Sequence, residues 1–215
     1  MEFEKNKNLN QVRRLVNRAA YDYETVNQLL DSAILGHVGF AVDGQPFVIP
    51  MLYARHEESI YLHGYVSARI AKVLATGCPV TMSVAHVDGL VVSKSPFHNS
   101  VNYRQVSAFV VFGTGKLVDD EDEKLEALRI ITEGLLKDNW GDGRLPSKTE
   151  IKSTSVIRVD IESASTKDIE DPENKHVWTG VVPIASVVGE PIPSEYNTAP
   201  SAPEYITRLV GGPGK

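Results

Sequence analysis

The spacing of apolar residues along the chain predicts three helices. In residues 22–35, five apolar side chains share one helical stripe, and Asp22 precedes them as a favourable N-cap. Residues 119–137 repeat this spacing behind an acidic first turn. A shorter pattern in residues 66–77 ends at Gly77, which is typical of a helix closed by a glycine.

The segments between these helices are short apolar runs bounded by turn residues, which predict strands. Asp43-Gly44 separates residues 38–42 from 46–54, and Asp88-Gly89 separates residues 79–87 from 90–93; this dipeptide favours two-residue hairpins. The other predicted strands are residues 59–63, 106–118 and 155–161. The long run 106–118 contains Gly113 and Gly115, which indicate a bulge or a close backbone approach.

This series of short antiparallel strands, with too few βα alternations for a doubly wound sheet, favours a mainly β fold, a β-barrel with added helices. We expect one domain over residues 1–188. Residues 189–215 are rich in Pro, Ser and Gly and predict an extended C-terminal arm or tail.

Composition narrows the classes of function. The 215 residues are 42% hydrophobic and 23% charged, as in a globular protein. A net charge of -6 without a Lys/Arg cluster argues against nucleic acid as a partner. One cysteine, no signal-peptide core and no apolar run of about 18 residues predict a cytoplasmic protein that does not span a membrane. The six histidines lie on separate predicted elements, so we predict no metal site.

The junction of a strand and a helix at residues 61–69 is the first candidate site. Ser67 and Arg69, with the amides of the helix start, could bind a phosphate. On spacing alone, the more common explanation is that Ser67 caps the helix and Arg69 is solvated.

The second candidate is the strand that contains Val48, Ile49, Pro50 and Met51. Pro50 lacks an amide donor and so indicates a sheet edge or a bulge, where backbone groups could meet a planar ligand. An ordinary edge strand protected by proline is the simpler alternative. His63, at the end of the next strand, is by itself more often a structural residue than a ligand.

Taken in order, several short motifs resemble one family. They are Arg13-Arg14, Val38-Gly39-Phe40, residues 46–51, residues 60–64, residues 97–104, Gly113 and residues 177–183. Their order and spacing resemble the FMN-binding split barrels of the pyridoxamine 5'-phosphate oxidase-like proteins, in the branch that includes nitroimidazole-resistance proteins. The resemblance implies a six-stranded antiparallel split barrel, spans roughly residues 11–185 and strengthens the phosphate-site interpretation.

The same resemblance implies a homodimer that binds FMN in two clefts between its subunits. Val48, Ile49, Pro50 and Met51 would run along the isoalloxazine ring, and His63 and Gly64 would lie beside the ring and ribityl chain. Ser67 and Arg69 would hold the phosphate. Trp178 would come from the partner subunit or from the C-terminal wrap.

The function that the resemblance implies is electron transfer from a reduced nicotinamide through FMN to a small acceptor. No catalytic side chain is assigned, because the flavin carries the redox chemistry. Oxidation of vitamin B6 is not expected, since the basic residues that bind that substrate's phosphate are not recognisable. Many relatives have Ser where this chain has Gln105, so the polar contact that this serine makes is not carried over. The alternative is a non-catalytic flavin-binding protein, or a haem-binding protein that uses His63 or His98.

Overall fold

The computed structural model of this chain describes residues 1–8, 10–13, 16, 19–92, 97, 100–108, 115–167 and 180–213. The helices in this part are α1 Tyr23–Asp31, α2 Arg69–Leu74, α3 Glu121–Leu135, α4 Lys148–Ser153 and α5 Glu204–Thr207. The strands are β1 Ala19–Ala20, β2 Leu35–Val42, β3 Gln45–His56, β4 Ser59–Tyr65, β5 Thr81–Val92, β6 Ser100–Ala108, β7 Lys116–Leu117, β8 Thr154–Asp160, β9 Ser165–Lys167 and β10 Gly180–Pro183.

These strands form one antiparallel sheet in the order β1-β9-β6-β5-β2-β3-β4-β8-β7, and β10 pairs with β5. Strands β6 and β7 lie towards opposite ends of this order but are separated by only residues 109–115 of the chain. The sheet must therefore curl back on itself, as in a barrel. The predicted mainly β class is confirmed; the sheet has more than the six predicted strands, because short segments extend six long ones.

Local signals account for the elements that precede the site. The Asp22 side chain accepts a hydrogen bond from Thr25 N at 2.8 Å and so caps α1, as predicted. Asp43 and Gly44 both have positive φ, 50° and 80°, which is the conformation that a tight hairpin between β2 and β3 requires. Gly77, with φ 85°, lies just beyond the end of α2.

The predicted second hairpin, at Asp88-Gly89, is wrong. Strand β5 is continuous through this dipeptide, and its register with β6 shifts between Val87 and Gly89 in a bulge. Neither residue of the dipeptide has the positive φ of a tight hairpin turn, and Asp88 O accepts a hydrogen bond from Ile184 N at 2.9 Å. The bulge therefore keeps the extended strand and provides an attachment point for the segment that follows β10.

Side chains on the two faces of the sheet pack into two apolar clusters. The larger one contains Val38, Tyr53, Ile60 and Leu62, and α1 and α2 contribute to it. The smaller one lies between the sheet and α3 and contains Ala54 and Tyr61, with Ala127 and Ile131 of the helix and Val156 of β8. Neighbouring residues of β3 and β4 thus face opposite clusters, as strand alternation requires. Within the described residues, none of the helices has both the length and the apolar character of a membrane span.

Candidate functional site

Strands β3 and β4 are paired at one end and separate at the other. Register pairs run from His56 and Ser59 to Tyr53 and Leu62, where the pairing stops. Beyond this point, among the described strands, residues 45–52 pair only with β2, whereas residues 63–65 pair only with β8. We call the region between residues 48–52 and residues 63–65 the splay.

One side of the splay is an open backbone edge. Tyr53 N donates to Ile34 O at 3.4 Å, on the side of β2. Because hydrogen-bonding direction alternates along an antiparallel strand, Val48, Pro50 and Leu52 direct their backbone groups away from β2 and towards the splay. Pro50 has no amide to leave unpaired there. The predicted edge is therefore present, and it offers backbone carbonyls and amides to a ligand.

The side chains of this edge divide between the two faces of β3. Ile49 and Met51 pack their side chains against the larger core, and by the same alternation their backbone groups face β2, so they support the edge from behind. Val48 and Pro50 point to the outer face and are exposed, Val48 to 67%. An exposed valine beside an open strand edge is a surface that an apolar planar molecule or a second protein chain could cover.

The other side of the splay leads from β4 into α2. A Cβ atom built on Gly64 has no heavy atom within 4 Å, so this strand end faces open space. The following turn exposes Ser67, and the N-cap of α2 is Ala68, which makes no side-chain capping bond. The capping explanation for Ser67 is therefore wrong, and its hydroxyl makes no hydrogen bond to any of the described residues.

Arg69 connects the two sides of the splay. It is the first residue of α2, and its guanidinium carbon lies 5.1 Å from the centre of the Phe47 ring, a cation–π arrangement. Phe47 directly precedes the open edge of β3, so the contact places a fixed positive charge at the mouth of the splay. With six residues α2 has only a small macrodipole, so a phosphate would be held mainly by side chains.

His63 lies on the face of β4 that is covered by α3. Its Nδ1 atom is buried without a hydrogen-bond partner among the described residues. Burial lowers the pKa of His63, so the imidazole is neutral at pH 7. An unpaired buried nitrogen of this kind costs roughly 1–3 kcal/mol, which a bound ligand could recover.

A cleft of about 510 Å³ adjoins His63, and we call it the His63 cleft. Leu128 and Thr132 of α3 form one wall, and Trp140, with Ile151 of α4, contributes further apolar surface. Its volume and mixed lining are those of a small-molecule pocket. The described residues contain no group of three or more His, Cys, Asp or Glu side chains that could hold a metal ion.

The structure thus gathers most of the predicted site residues around one feature. Val48, Ile49, Pro50 and Met51 lie on one side of the splay, His63 and Gly64 on the other, and Ser67 and Arg69 at its end. Trp178 and His98 lie outside the described residues, and their predicted roles remain predictions.

Neither the contact of Phe47 with Arg69 nor the walls of the His63 cleft were predicted from the sequence. One signal for the cleft was present: Ser147 and Glu150 have the spacing of a capping box, and they make both of its hydrogen bonds at the start of α4. The contact between Phe47 and Arg69 had no such local signal.

Two solved structures resemble this chain over nearly its whole length. The flavocytochrome Anf3 from Azotobacter vinelandii is 33% identical, with a TM-score of 0.82 over 94% of this chain and 96% of that one. An FAD and haem binding protein from Mycobacterium smegmatis is 25% identical, with a TM-score of 0.83 over 90% and 98%. Among curated proteins, none matches this chain.

A third structure supports the fold alone. It is a candidate 5-nitroimidazole antibiotic resistance protein from Bacteroides thetaiotaomicron, which is 20% identical, with a TM-score of 0.58 over 69% of this chain and 85% of that one. The family model for pyridoxamine 5'-phosphate oxidase matches residues 22–168, about two thirds of the chain. This match includes both sides of the splay, α2 and the walls of the His63 cleft. The chain therefore belongs to the pyridoxamine 5'-phosphate oxidase family.

Proposed function

We propose that this protein is a flavin-dependent oxidoreductase that holds its flavin in the splay between β3 and β4. The observation that carries the proposal is the open backbone edge at Val48 and Pro50, facing the open space beside Gly64. An isoalloxazine ring is flat, apolar on its faces and polar along one edge. It suits a place that combines an exposed valine with unused carbonyls and amides.

Ser67 and Arg69 are suited to the phosphate end of the cofactor. Both are exposed at the mouth of the splay, and within the described part of the chain Arg69 contacts Phe47 and has no acidic partner. A guanidinium without a carboxylate partner keeps its donors available to a phosphate. The bound flavin would supply the redox chemistry, while these residues bind and orient it.

FMN is the flavin that we propose, with a reduced nicotinamide as electron donor and a small organic molecule as acceptor. The splay and Arg69 account for an isoalloxazine ring and one phosphate, which FMN and FAD share. Two of the similar structures are described as a flavocytochrome and as an FAD and haem binding protein. The two flavins therefore have to be distinguished by direct identification of the cofactor.

A second candidate function is electron transfer by a flavin together with a haem. The observation that favours it is the buried, unpartnered Nδ1 atom of His63 beside the cleft, with an imidazole that is neutral and therefore able to bind iron. Apolar walls at Leu128, Trp140 and Ile151 would suit the flat face of a haem. The description of the two full-length structural relatives supports the same pairing of groups.

We also propose a homodimer in which the flavin lies at the subunit interface. Leu35, Val48, Val87 and Leu90 are all exposed apolar residues of β2, β3 and β5, which are neighbours in the sheet. A second copy could cover this outer face together with the open edge of β3.

The family resemblance implies that Trp178 contributes to this shared site, so Trp178→Ala should weaken both the dimer and flavin binding. Sedimentation with and without FMN measures the effect. A monomer with fully bound flavin would contradict a shared site.

The visible spectrum of the purified protein, followed by mass spectrometry of the released cofactor, tests the proposal. We expect the absorption of oxidised flavin, and its loss on anaerobic addition of NADH or NADPH. A bound haem would add a separate absorption band, and the variant His63→Ala should lack that band. A protein that neither retains nor takes up FMN or FAD would contradict the proposed function.

A further inference from the structure

The C-terminal segment, residues 184–213, folds back on itself into a lobe. Val188 N donates to Gly212 O at 3.0 Å, and Gly211 N donates to Val188 O at 2.9 Å. A bridge between Val187 and Pro213 closes the same end, and α5 lies within the loop. The lobe follows β10, where Ile184 N donates to Asp88 O.

The lobe reaches the body of the protein again through two side chains of its C-terminal part. The Tyr205 hydroxyl donates to Asp142 Oδ2 at 2.9 Å and lies 3.1 Å from Asn139 Oδ1. Arg208 forms a salt bridge with Asp138. All three partners belong to the turn that connects α3 to the loop before α4.

This turn is part of the rim of the His63 cleft. Asn139 and Trp140 both line the cleft, so Tyr205 contacts a residue of its wall directly. On its other side the turn is held by Glu133 of α3, whose carboxylate accepts from Asp138 N at 2.7 Å and from Trp140 N at 2.8 Å. The rim therefore has one attachment to α3 and another to the lobe.

We propose that the lobe is a clasp: Tyr205 and Arg208 hold the rim of the His63 cleft in place and thereby set the rate at which molecules reach His63. Only the identity of those molecules rests on the proposed function. The clasp itself depends on the contacts between α5 and the turn at residues 138–142.

The contacts of the clasp are of a kind that opens more easily than the barrel. Arg208 and Asp138 are each about half exposed, 47% and 52%, so their attraction is weakened by water and salt. Ile192 and Tyr196 of the lobe are about nine-tenths exposed and bury little apolar surface. Segments with few buried contacts open locally without unfolding of the core. The lobe can therefore release the rim while the sheet stays intact.

The test compares Tyr205→Phe and Arg208→Gln with the matched control Tyr196→Phe, in the full-length protein as purified. Hydrogen–deuterium exchange of residues 138–146 reports the rim. The rate at which diethyl pyrocarbonate modifies His63, relative to the exposed His56, reports access to the cleft. This reagent acylates unprotonated imidazole, the form that the lowered pKa of His63 maintains near pH 7.

For Tyr205→Phe we expect both rates to rise about threefold to tenfold, as the loss of one hydrogen bond implies. Arg208→Gln should give a smaller rise that disappears at high salt. Tyr196→Phe should leave both rates unchanged. If a bound chromophore shields His63, the rate at which the protein loses this chromophore on dilution is measured in place of the modification rate. This rate should rise by the same factor.

Unchanged exchange of the rim in both Tyr205→Phe and Arg208→Gln would overturn the clasp. Faster exchange without faster modification of His63 or loss of chromophore would overturn its control of access. Exchange of the rim can be compared whether or not a cofactor is bound, so failure of the clasp and failure of the proposed function are distinguishable. A protein that binds neither flavin nor haem would contradict the proposed function, and the rates of exchange and of His63 modification would still test the clasp.

Discussion

The two ends of the β3–β4 pair show how one pair of strands serves both the fold and the site. At the paired end, Tyr53, Ile60 and Leu62 are almost fully buried and the backbone groups are satisfied between strands. At the splayed end, Val48 is exposed, the edge of β3 has no strand partner among the described residues and His63 has an unpaired buried nitrogen. The paired end contributes to the stability of the fold, whereas the splayed end has backbone and side-chain groups that are free to bind a ligand.

Leu62→Ala at the paired end should produce the largest loss of stability. Leu62 is 1% exposed, and removal of such a side chain costs about 2–5 kcal/mol of unfolding free energy. Val48→Ala at the splayed end should change that free energy by less than about 0.5 kcal/mol, as exposed substitutions do. Urea unfolding of the two variants measures the contrast, and equal losses would break the distinction between the two ends.

Gly64→Leu should leave the fold intact and abolish flavin binding. Gly64 does not have a positive φ, and a Cβ at this position meets open space, so the leucine can be built without strain. Its side chain would occupy the splay, and we expect FMN affinity to fall more than a hundredfold, about 2.7 kcal/mol. Fluorescence titration with FMN gives the affinity.

Gly189→Leu is the control, because Gly189 also has open space around its Cβ but lies outside the splay and does not line the His63 cleft. If Gly64→Leu binds FMN as tightly as the wild type and unfolds like it, the flavin does not bind in the splay.

Arg69→Ala should weaken FMN binding more than riboflavin binding. A charge-assisted hydrogen bond to phosphate contributes roughly 1.5–3 kcal/mol to binding. Riboflavin has no phosphate, so its binding does not include this contribution. We therefore expect the affinity for FMN to fall tenfold to hundredfold, which corresponds to about 1.4–2.8 kcal/mol. Lys72→Ala, one turn further along α2, is the matched control, and equal losses for the two ligands would place the phosphate elsewhere.

The pH dependence of stability should carry a smaller signature of His63. Burial lowers its pKa in the folded state, so the unfolded chain takes up a proton more readily. Its contribution to stability is therefore complete above the unfolded pKa of about 6.5 and declines as the pH falls below it. His63→Gln should reduce the loss of unfolding free energy between pH 7 and 5, whereas an unchanged profile would show that His63 is not effectively buried.

The sequence predicted the parts of this arrangement that have local causes. Asp43-Gly44 specifies a hairpin, Asp22 a helix start and Pro50 an edge, and each depends on residues within a few positions of it. The splay has no such local cause, because it arises where β8 continues along β4 after β3 has diverged towards β2. The cation–π contact of Arg69 with Phe47 likewise joins residues from two elements. Asp88-Gly89 misled because tertiary contacts at β6 and Ile184 favour a bulge.

A crystal structure of the flavin-loaded protein would show directly where the flavin binds. We expect an isoalloxazine ring between residues 48–52 of β3 and residues 63–65 of β4, hydrogen-bonded to the open edge of β3, with the flavin phosphate at Ser67 and Arg69. A flavin bound instead between α3 and α4, against Leu128 and Trp140, would contradict this placement.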